Sequence, residues 1–298
     1  MIEMHVINLR MHELRKLKEL PLEKGVLNTE ALMLVLKRKS FPDKVERVFK
    51  YLDAQDDEEI MSKKIYTVTT LNHLSDYQNI SELVIPDSII YVNGHIAGFG
   101  VPLISSHRNL GILIHDSKQS LGDKLKYLSQ LGNIIDKVER VYNPYNRFQF
   151  GDLNEYNFII DRENCIRAID LDSAYLGVGE PLHMAYYLLK NNYVKSIPEK
   201  YQSTPNGIII PTDNTDLYCY NMILLSALSG ENLYRYDIDT YYRYLDYIDE
   251  LGLPREVIQS FYNIYIPKNN VNPREFLEDI DPSLEEQLAF SEFQKRKL

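Results

Sequence analysis

The chain has 298 residues with 44% hydrophobic and 26% charged residues, which is the composition of a folded protein with one large domain or two packed lobes. The formal net charge of −10 argues against a nucleic-acid partner bound through bulk attraction to phosphates. The two cysteines form no C-x-x-C pair, and the first residues do not have the charged-then-apolar pattern of a signal peptide. No apolar run approaches the roughly 20 residues that span a bilayer. We therefore expect a cytoplasmic protein without a membrane partner.

Four strands are predicted in the first third of the chain. Residues 31–38 and 45–52 are apolar runs separated by a Ser-Phe-Pro-Asp cluster, which favours an antiparallel hairpin, although the first run could also be helical. Residues 88–93 and 95–101 are apolar runs joined by an Asn-Gly step, a strong hairpin signal.

Helices are predicted between and after these strands. Residues 56–79 begin with acidic side chains and then place apolar residues at helical spacing, and residues 120–142 form an amphipathic helix. Two short strands at 157–161 and 166–169 follow, and the chain is mostly helical from residue 215 onward. The fold class is therefore predicted as α+β, with a strand-rich part at 1–103 and a mainly helical part at 104–298.

The residues that indicate chemistry lie around the two short strands. Gly151 to Asn157 contains Asp152 and Asn157 separated by four residues, and Asp170-Leu171-Asp172 follows the hairpin. Magnesium prefers hard oxygen ligands and usually takes one or two carboxylates plus substrate phosphates. Phosphoryl transfer needs a further carboxylate near the attacking hydroxyl. Because the hairpin folds the chain back, we expect Asp170 to arrive beside Asn157.

This pattern resembles the catalytic and magnesium loops of protein kinases and their kinase-like relatives, in which an Asp, four residues and an Asn precede a second Asp after a hairpin. The resemblance implies a bilobal kinase-like fold that binds ATP and Mg²⁺. It implies Asp152 as the catalytic base or hydroxyl-orienting group, and Asn157 and Asp170 as the magnesium ligands.

The resemblance also implies residues elsewhere in the chain. Lys50 would hold the α- and β-phosphates and would pair with a helix glutamate, for which Glu59 is slightly favoured over Glu58. Val101 would be the gatekeeper of the hinge, and residues 102–104, including Leu103, would line the adenine edge. In the helix that starts near residue 215, Asp216 would be buried and would bond the backbone of the catalytic loop.

Several positions depart from the family pattern. Only Gly25 stands where several glycines normally approach the phosphates, and Asn154 replaces the usual lysine of serine/threonine kinases. Gly151 replaces an arginine, and Asp172 replaces the glycine after the magnesium aspartate, where it could bind a second metal or cap the next segment. The expected function is Mg-ATP-dependent transfer of the γ-phosphate to a Ser/Thr hydroxyl of a protein substrate. A small-molecule kinase, or a nucleotide-binding pseudokinase acting as an interaction module, remain alternatives.

Overall fold

The chain divides into two compact units, the first made of Met1–Asn109 and Phe158–Ala174 and the second of Leu110–Asn157 and Tyr175–Leu298. In this computed structural model the described residues are 4–21, 32–36, 46–52, 58–141, 147–177, 202–203, 210–212, 214–264 and 272–296. The predicted turn at 40–43, Gly25 and most of the segment between 178 and 209 lie outside them. The described parts contain both sheets and helices, which confirms the α+β class; the finer division into kinase-like lobes stays a prediction.

The first unit is built on a six-stranded sheet of order β1-β5-β6-β4-β3-β2. Its strands are β1 (His5–Leu9), β2 (Lys18–Glu19), β3 (Leu32–Leu36), β4 (Arg47–Tyr51), β5 (Ser88–Val92) and β6 (His95–Pro102). All neighbouring pairs are antiparallel except β1 and β5, which run parallel. In its described residues the same unit has the helices α1 (Met11–Leu14), α2 (Glu58–His73) and α3 (Ser75–Gln78).

Both predicted hairpins of this sheet are confirmed. Strands β3 and β4 pair in antiparallel register, so the first apolar run is a strand and not a helix. Between β5 and β6, Asn93 and Gly94 have φ values of 51° and 86°, the left-handed conformation that a tight two-residue turn needs. The predicted helix over 56–79 is wrong in one respect, because Leu74 has extended backbone and separates α2 from α3.

A buried ion pair fixes the start of β4. Arg47 is 1% exposed, and its guanidinium donates in a bidentate manner to Asp87, with Nε–Oδ1 and Nη2–Oδ2 distances of 2.8 Å. The Ser88 hydroxyl donates to the same carboxylate at 2.7 Å. The pair therefore ties the strand that carries Lys50 to the residue before β5.

A smaller sheet completes the first unit with strands β7 (Ser106–Asn109), β8 (Phe158–Asp161) and β9 (Ile166–Ala168), all antiparallel. The predicted hairpin at 157–161 and 166–169 is thus confirmed, and Asn164 in its turn has a φ of 59°. A 3-10 turn, Leu171–Ser173, follows β9.

The second unit is mainly helical in its described residues. Its α-helices are α4 (Leu110–Ile114), α5 (Leu121–Arg140), α6 (Thr215–Ser229), α7 (Ile238–Glu250), α8 (Arg255–Tyr262), α9 (Glu285–Leu288) and α10 (Phe290–Lys295). Its 3-10 turns are Glu155–Asn157, Leu233–Arg235, Pro273–Asp279 and Pro282–Leu284, and β10 (Gln202–Ser203) pairs with β11 (Ile210–Pro211). The helix predicted at 120–142 is confirmed, with the Ser120 hydroxyl capping its first turn.

Buried tyrosines join the helices of this unit. Every residue of α6 is buried, and the Tyr220 hydroxyl donates to the Leu128 carbonyl of α5 at 3.1 Å. Tyr244 of α7 is fully buried and donates to the Leu288 carbonyl at 2.5 Å. These two tyrosines therefore belong to the helical core, and each has a partner for its hydroxyl. Among the residues described here, no helix combines the length and apolarity that a membrane crossing requires.

Candidate functional site

Lys50 lies in the interior of the large sheet, on β4 between β3 and β6, where it pairs with Met33 and Phe99. Its side chain is 7% exposed. Its ammonium contacts the Asp170 carboxylate and donates to Asp172 at 2.9 Å from Oδ1 and 3.1 Å from Oδ2. The predicted phosphate-binding lysine and the predicted magnesium aspartate are therefore in contact within the first unit.

The segment after β9 turns sharply at Asp170, which has left-handed backbone angles of φ 67° and ψ 35°. Asp tolerates this conformation better than most residues, at a cost on the order of 1 kcal/mol. Asp170 keeps 30% of its side chain exposed, whereas Asp172 is 2% exposed. The turn thus brings a partly exposed carboxylate, Asp170, and a buried carboxylate, Asp172, to the Lys50 ammonium.

A second buried lysine completes this cluster. Lys64 on α2 has a 3% exposed side chain and donates to Asp172 Oδ2 at 2.8 Å and to Ser173 Oγ at 2.9 Å. Lys64 was not predicted from the sequence, because the resemblance implies an acid and not a lysine on this helix. The usable signal was its position on the stripe of buried residues formed by Met61, Lys64, Val68 and Leu71.

The cluster holds its charges in a buried setting. Burial alone would raise the pKa of Asp172, but Lys50 and Lys64 hold that pKa well below its usual range. Burial alone would lower the pKa of Lys50, but Asp170 and Asp172 raise it well above its usual range. Lys50 and Asp172 are therefore both charged at neutral pH, since each provides the counter-charge of the other.

The expected pairing of Lys50 with Glu59 is wrong. Glu59 is 76% exposed and forms an ion pair with Lys63, one helical turn away, at 2.8 Å. It lies in the first turn of α2 on the solvent face, whereas Lys64 lies on the face that is buried. Asp172 takes the role of counter-ion to Lys50 that the resemblance gives to a helix glutamate.

The residues predicted to form the hinge lie at and just after the end of β6. Val101 pairs with Val48 of β4 and is half-buried, as is Leu103. The Leu103 backbone N–H donates to the Glu46 carbonyl at 2.8 Å. The Leu103 N–H is therefore used within the sheet region, and the predicted role of Val101 and Leu103 beside adenine stays a prediction.

In the second unit, side-chain amide groups of Asn154 and Asn157 hold the loop around Asp152. Gly151 has a φ of 72°, which favours glycine. The side-chain amide of Asn157 donates to the Asp152 carbonyl at 2.9 Å, and that of Asn154 donates to Asp152 Oδ2 at 3.0 Å. Asn154 therefore orients the Asp152 carboxylate.

Asp216 supports the same loop from the first turn of α6. Its Oδ2 accepts a 3.0 Å hydrogen bond from the Phe150 N–H, which confirms the contact that the resemblance implies. Its Oδ1 is buried and has no hydrogen-bond partner among the described residues. Burial raises the pKa of Asp216 to about 7, with Glu139 adding to the effect and the Phe150 N–H opposing it.

A His–Glu pair braces the end of the loop and was missed from sequence. His115 Nε2 lies 2.8 Å from Oε1 of Glu155, whose side chain is 5% exposed. The Tyr156 ring stacks on the His115 ring with centroids 6.3 Å apart. The two residues are 40 positions apart in the chain, so no local signal indicated this pair.

The oxygen atoms predicted to bind magnesium suit that ion chemically. Asp170 offers a carboxylate and Asn157 an amide oxygen, both hard donors, and Mg²⁺ completes its shell with waters and substrate phosphates. Within the described ranges, no group of three or more His, Cys, Asp and Glu residues is arranged to hold a metal ion. Asp170 belongs to the first unit and Asn157 to the second, and each offers one hard oxygen donor.

No protein-family model matches the chain, and no curated protein sequence matches it. Two groups of hydrogen-bonded side chains, one within each unit, are the features from which a function can be inferred. The first joins Lys50 to Asp170, and the second joins Asp152 to Asn157 and Asn154.

Proposed function

We propose that this chain is a Mg-ATP-dependent phosphotransferase with a bilobal kinase-like fold. The observation that carries the proposal is the contact between Lys50 and Asp170, which are 120 residues apart. The resemblance implies Lys50 as a phosphate-binding lysine and Asp170 as a magnesium ligand. A chance pair of surface residues would not be expected to meet in a buried cluster.

Each residue has a role in the proposed reaction. Lys50 neutralises charge on the α- and β-phosphates, and Asp152 orients the acceptor hydroxyl and accepts its proton. Asp170 and Asn157 would hold magnesium, which neutralises charge on the phosphates during transfer. Val101 and the Leu103 carbonyl would face the adenine.

The loop that carries Asp152 is pre-organised for this role. Asn157 bonds the Asp152 carbonyl and Asn154 bonds its carboxylate, while Asp216 fixes the Phe150 amide two residues earlier. A catalytic group held by packed, hydrogen-bonded neighbours loses little freedom when substrate binds. These bonds support the assignment of Asp152 as the group that handles the acceptor.

The proposed acceptor is a Ser or Thr hydroxyl of a protein. A small-molecule kinase is the second candidate, and the contact between Asn154 and Asp152 favours it. Serine/threonine kinases usually place a lysine at this position to touch the transferring phosphate, whereas Asn154 is neutral and bonds the carboxylate instead. Acceptor panels of proteins and of metabolites discriminate the two candidates.

The test compares Asp152→Asn with Asp249→Asn, a matched change at an exposed residue of the same unit. We expect Asp152→Asn to lower phosphate transfer by about 10² to 10⁴-fold, the usual contribution of a positioned acid or base. Mg-ATP should still raise the thermal midpoint of the variant, because Asp152 is not a nucleotide ligand in the proposal. Asp249→Asn should behave as the wild type.

Two results would contradict the proposal. If Mg-ATP left the thermal midpoint of the wild-type protein unchanged, the chain would not be a nucleotide-binding protein. If Asp152→Asn retained full transfer, the reaction would not use Asp152.

A further inference from the structure

We propose that Asp172, held between Lys50 and Lys64, is the positioning residue that anchors Lys50, and that Asp170 is its exchangeable partner. The role in catalysis rests on the proposed function, while the anchoring itself is a property of the free protein. In this arrangement Asp172 stays with the two lysines when nucleotide binds, and Asp170 is the carboxylate that would be available to hold a magnesium ion.

The two carboxylates differ in how firmly they are held. The oxygens of Asp172 accept three hydrogen bonds, from Lys50 at 2.9 and 3.1 Å and from Lys64 at 2.8 Å. Its side chain is 2% exposed, against 30% for Asp170. Since an unpaired buried charge is costly, Asp172 cannot leave the lysines, whereas Asp170 can exchange its partner for solvent, a metal or a phosphate-bound ion.

Lys64 makes the anchor part of the fold. It bonds both Asp172 and Ser173, and Thr67 of the same helix donates to the Ala174 carbonyl at 3.4 Å. These contacts fasten the segment after Asp170 to α2. In the pair that the resemblance implies, a strand lysine meets a glutamate on the helix. Here the helix contributes a lysine, Lys64, and the carboxylate comes from Asp172.

The same contacts decide between the two roles left open for Asp172. A second metal ligand would need an oxygen directed to the ion, but both oxygens of Asp172 accept from lysine ammonium groups. Asp172 is therefore an internal counter-ion. Of the two carboxylates, Asp170 alone is placed to serve a metal.

The first test needs no nucleotide and measures the rate at which an amine-acylating reagent labels Lys50 in the full chain, by mass spectrometry. Lys50 reacts only when it leaves its partners, so its labelling rate reports how firmly it is held. We expect labelling to rise about tenfold or more in Asp172→Asn/Lys64→Met, and less than about threefold in Asp170→Asn. The double variant removes one anion and one cation, so the net charge of the cluster is unchanged. The single Asp172→Asn variant is labelled in parallel.

The labelling rates alone test whether Asp172 anchors Lys50. If Asp170→Asn freed Lys50 as much as the loss of Asp172, or more, the assignment would be overturned. Greater labelling after loss of Asp172 in either variant would support it.

The second test separates positioning from a general structural effect. Lys64→Met should lower kcat about tenfold to a hundredfold with a much smaller change in the KM for Mg-ATP, because Lys50 remains present but is misplaced. Lys64→Arg keeps the cation and should restore most of kcat. Lys63→Met is the matched control on the exposed side of α2 and should leave both constants near wild type.

Failure of this inference and failure of the proposed function give different results. A wild-type protein that transfers no phosphate from Mg-ATP would refute the function, and the labelling rates would still identify the anchor. An active enzyme in which Lys64→Met and Lys63→Met have equal kinetics would refute the positioning role of Lys64.

Discussion

Asp216→Asn is a direct test of how burial acts on the residue that supports the Asp152 loop. The carboxylate of Asp216 is buried in the first turn of α6, and its Oδ2 accepts from the Phe150 N–H at 3.0 Å. Asparagine keeps an acceptor for this bond and removes the charge. The substitution therefore isolates the cost of burying a carboxylate from the value of the hydrogen bond.

The expected magnitude follows from the pKa of Asp216, which burial raises from an ordinary 3.8 to about 7. Between these values the folded state binds more protons than the unfolded state, so stability falls as pH rises. The wild-type protein should lose about 1.4 kcal/mol per pH unit from this group, or about 4 kcal/mol in total by neutral pH. Asp216→Asn lacks this loss, although its new amide group adds a pH-independent cost of about 1–3 kcal/mol.

The assay is urea unfolding of both proteins at several pH values from acidic to moderately alkaline. The free energy of unfolding of Asp216→Asn minus that of the wild type should increase steadily with pH and level off above the folded pKa. Asp237→Asn is the control of opposite sign, because hydrogen bonds from Thr240 lower the pKa of Asp237 at the start of α7. The stabilisation by Asp237 is present at neutral pH and is lost on acidification. A difference for Asp216→Asn that did not change with pH would refute the raised pKa.

Three further predictions concern stability, each measured by urea unfolding. Arg47→Met should cost about 3–5 kcal/mol, since it leaves the buried Asp87 carboxylate unpaired, and adding Asp87→Asn should recover part of the loss; no recovery would contradict the pairing. Tyr244→Phe removes the bond to the Leu288 carbonyl and should cost about 1–2 kcal/mol without disturbing the ring packing. Gly94→Ala should cost about 1 kcal/mol through backbone strain alone, because φ is 86° and an added Cβ would meet no atom within 4 Å.

Features set by local chemistry could be predicted from the sequence. The turn at Asn93-Gly94, the hairpin closed at Asn164 and the helix started by Ser120 each depend on residues close in the chain. Their φ preferences and capping groups act over a few residues, so a single sequence contains the information. The parallel pairing of β1 with β5 depends on strands some 80 residues apart, and no local signal indicated it.

The candidate site shows the same limit. Lys50 and Asp170 could be selected because their types and spacing match a known pattern. The prediction of Glu59 was wrong because Asp172 lies against the buried face of α2. A carboxylate there favours a lysine on the helix, Lys64, and not a glutamate. Asp172 follows Lys64 by 108 positions. Long-range counter-ions of this kind become evident only when the contacts are known.

The first unit is assembled from two stretches of chain, and this affects the order in which it can form during synthesis. A nascent chain that has emerged only to Asn109 contains Lys50 and Lys64 but neither Asp170 nor Asp172. Burying the two lysines at that stage would leave two ammonium groups without their carboxylates, which is strongly unfavourable. We therefore expect this cluster to form only after residues 158–174 have followed the 110–157 stretch out of the ribosomal exit tunnel. Completion of the first unit thus depends on a segment that is synthesised after part of the second unit.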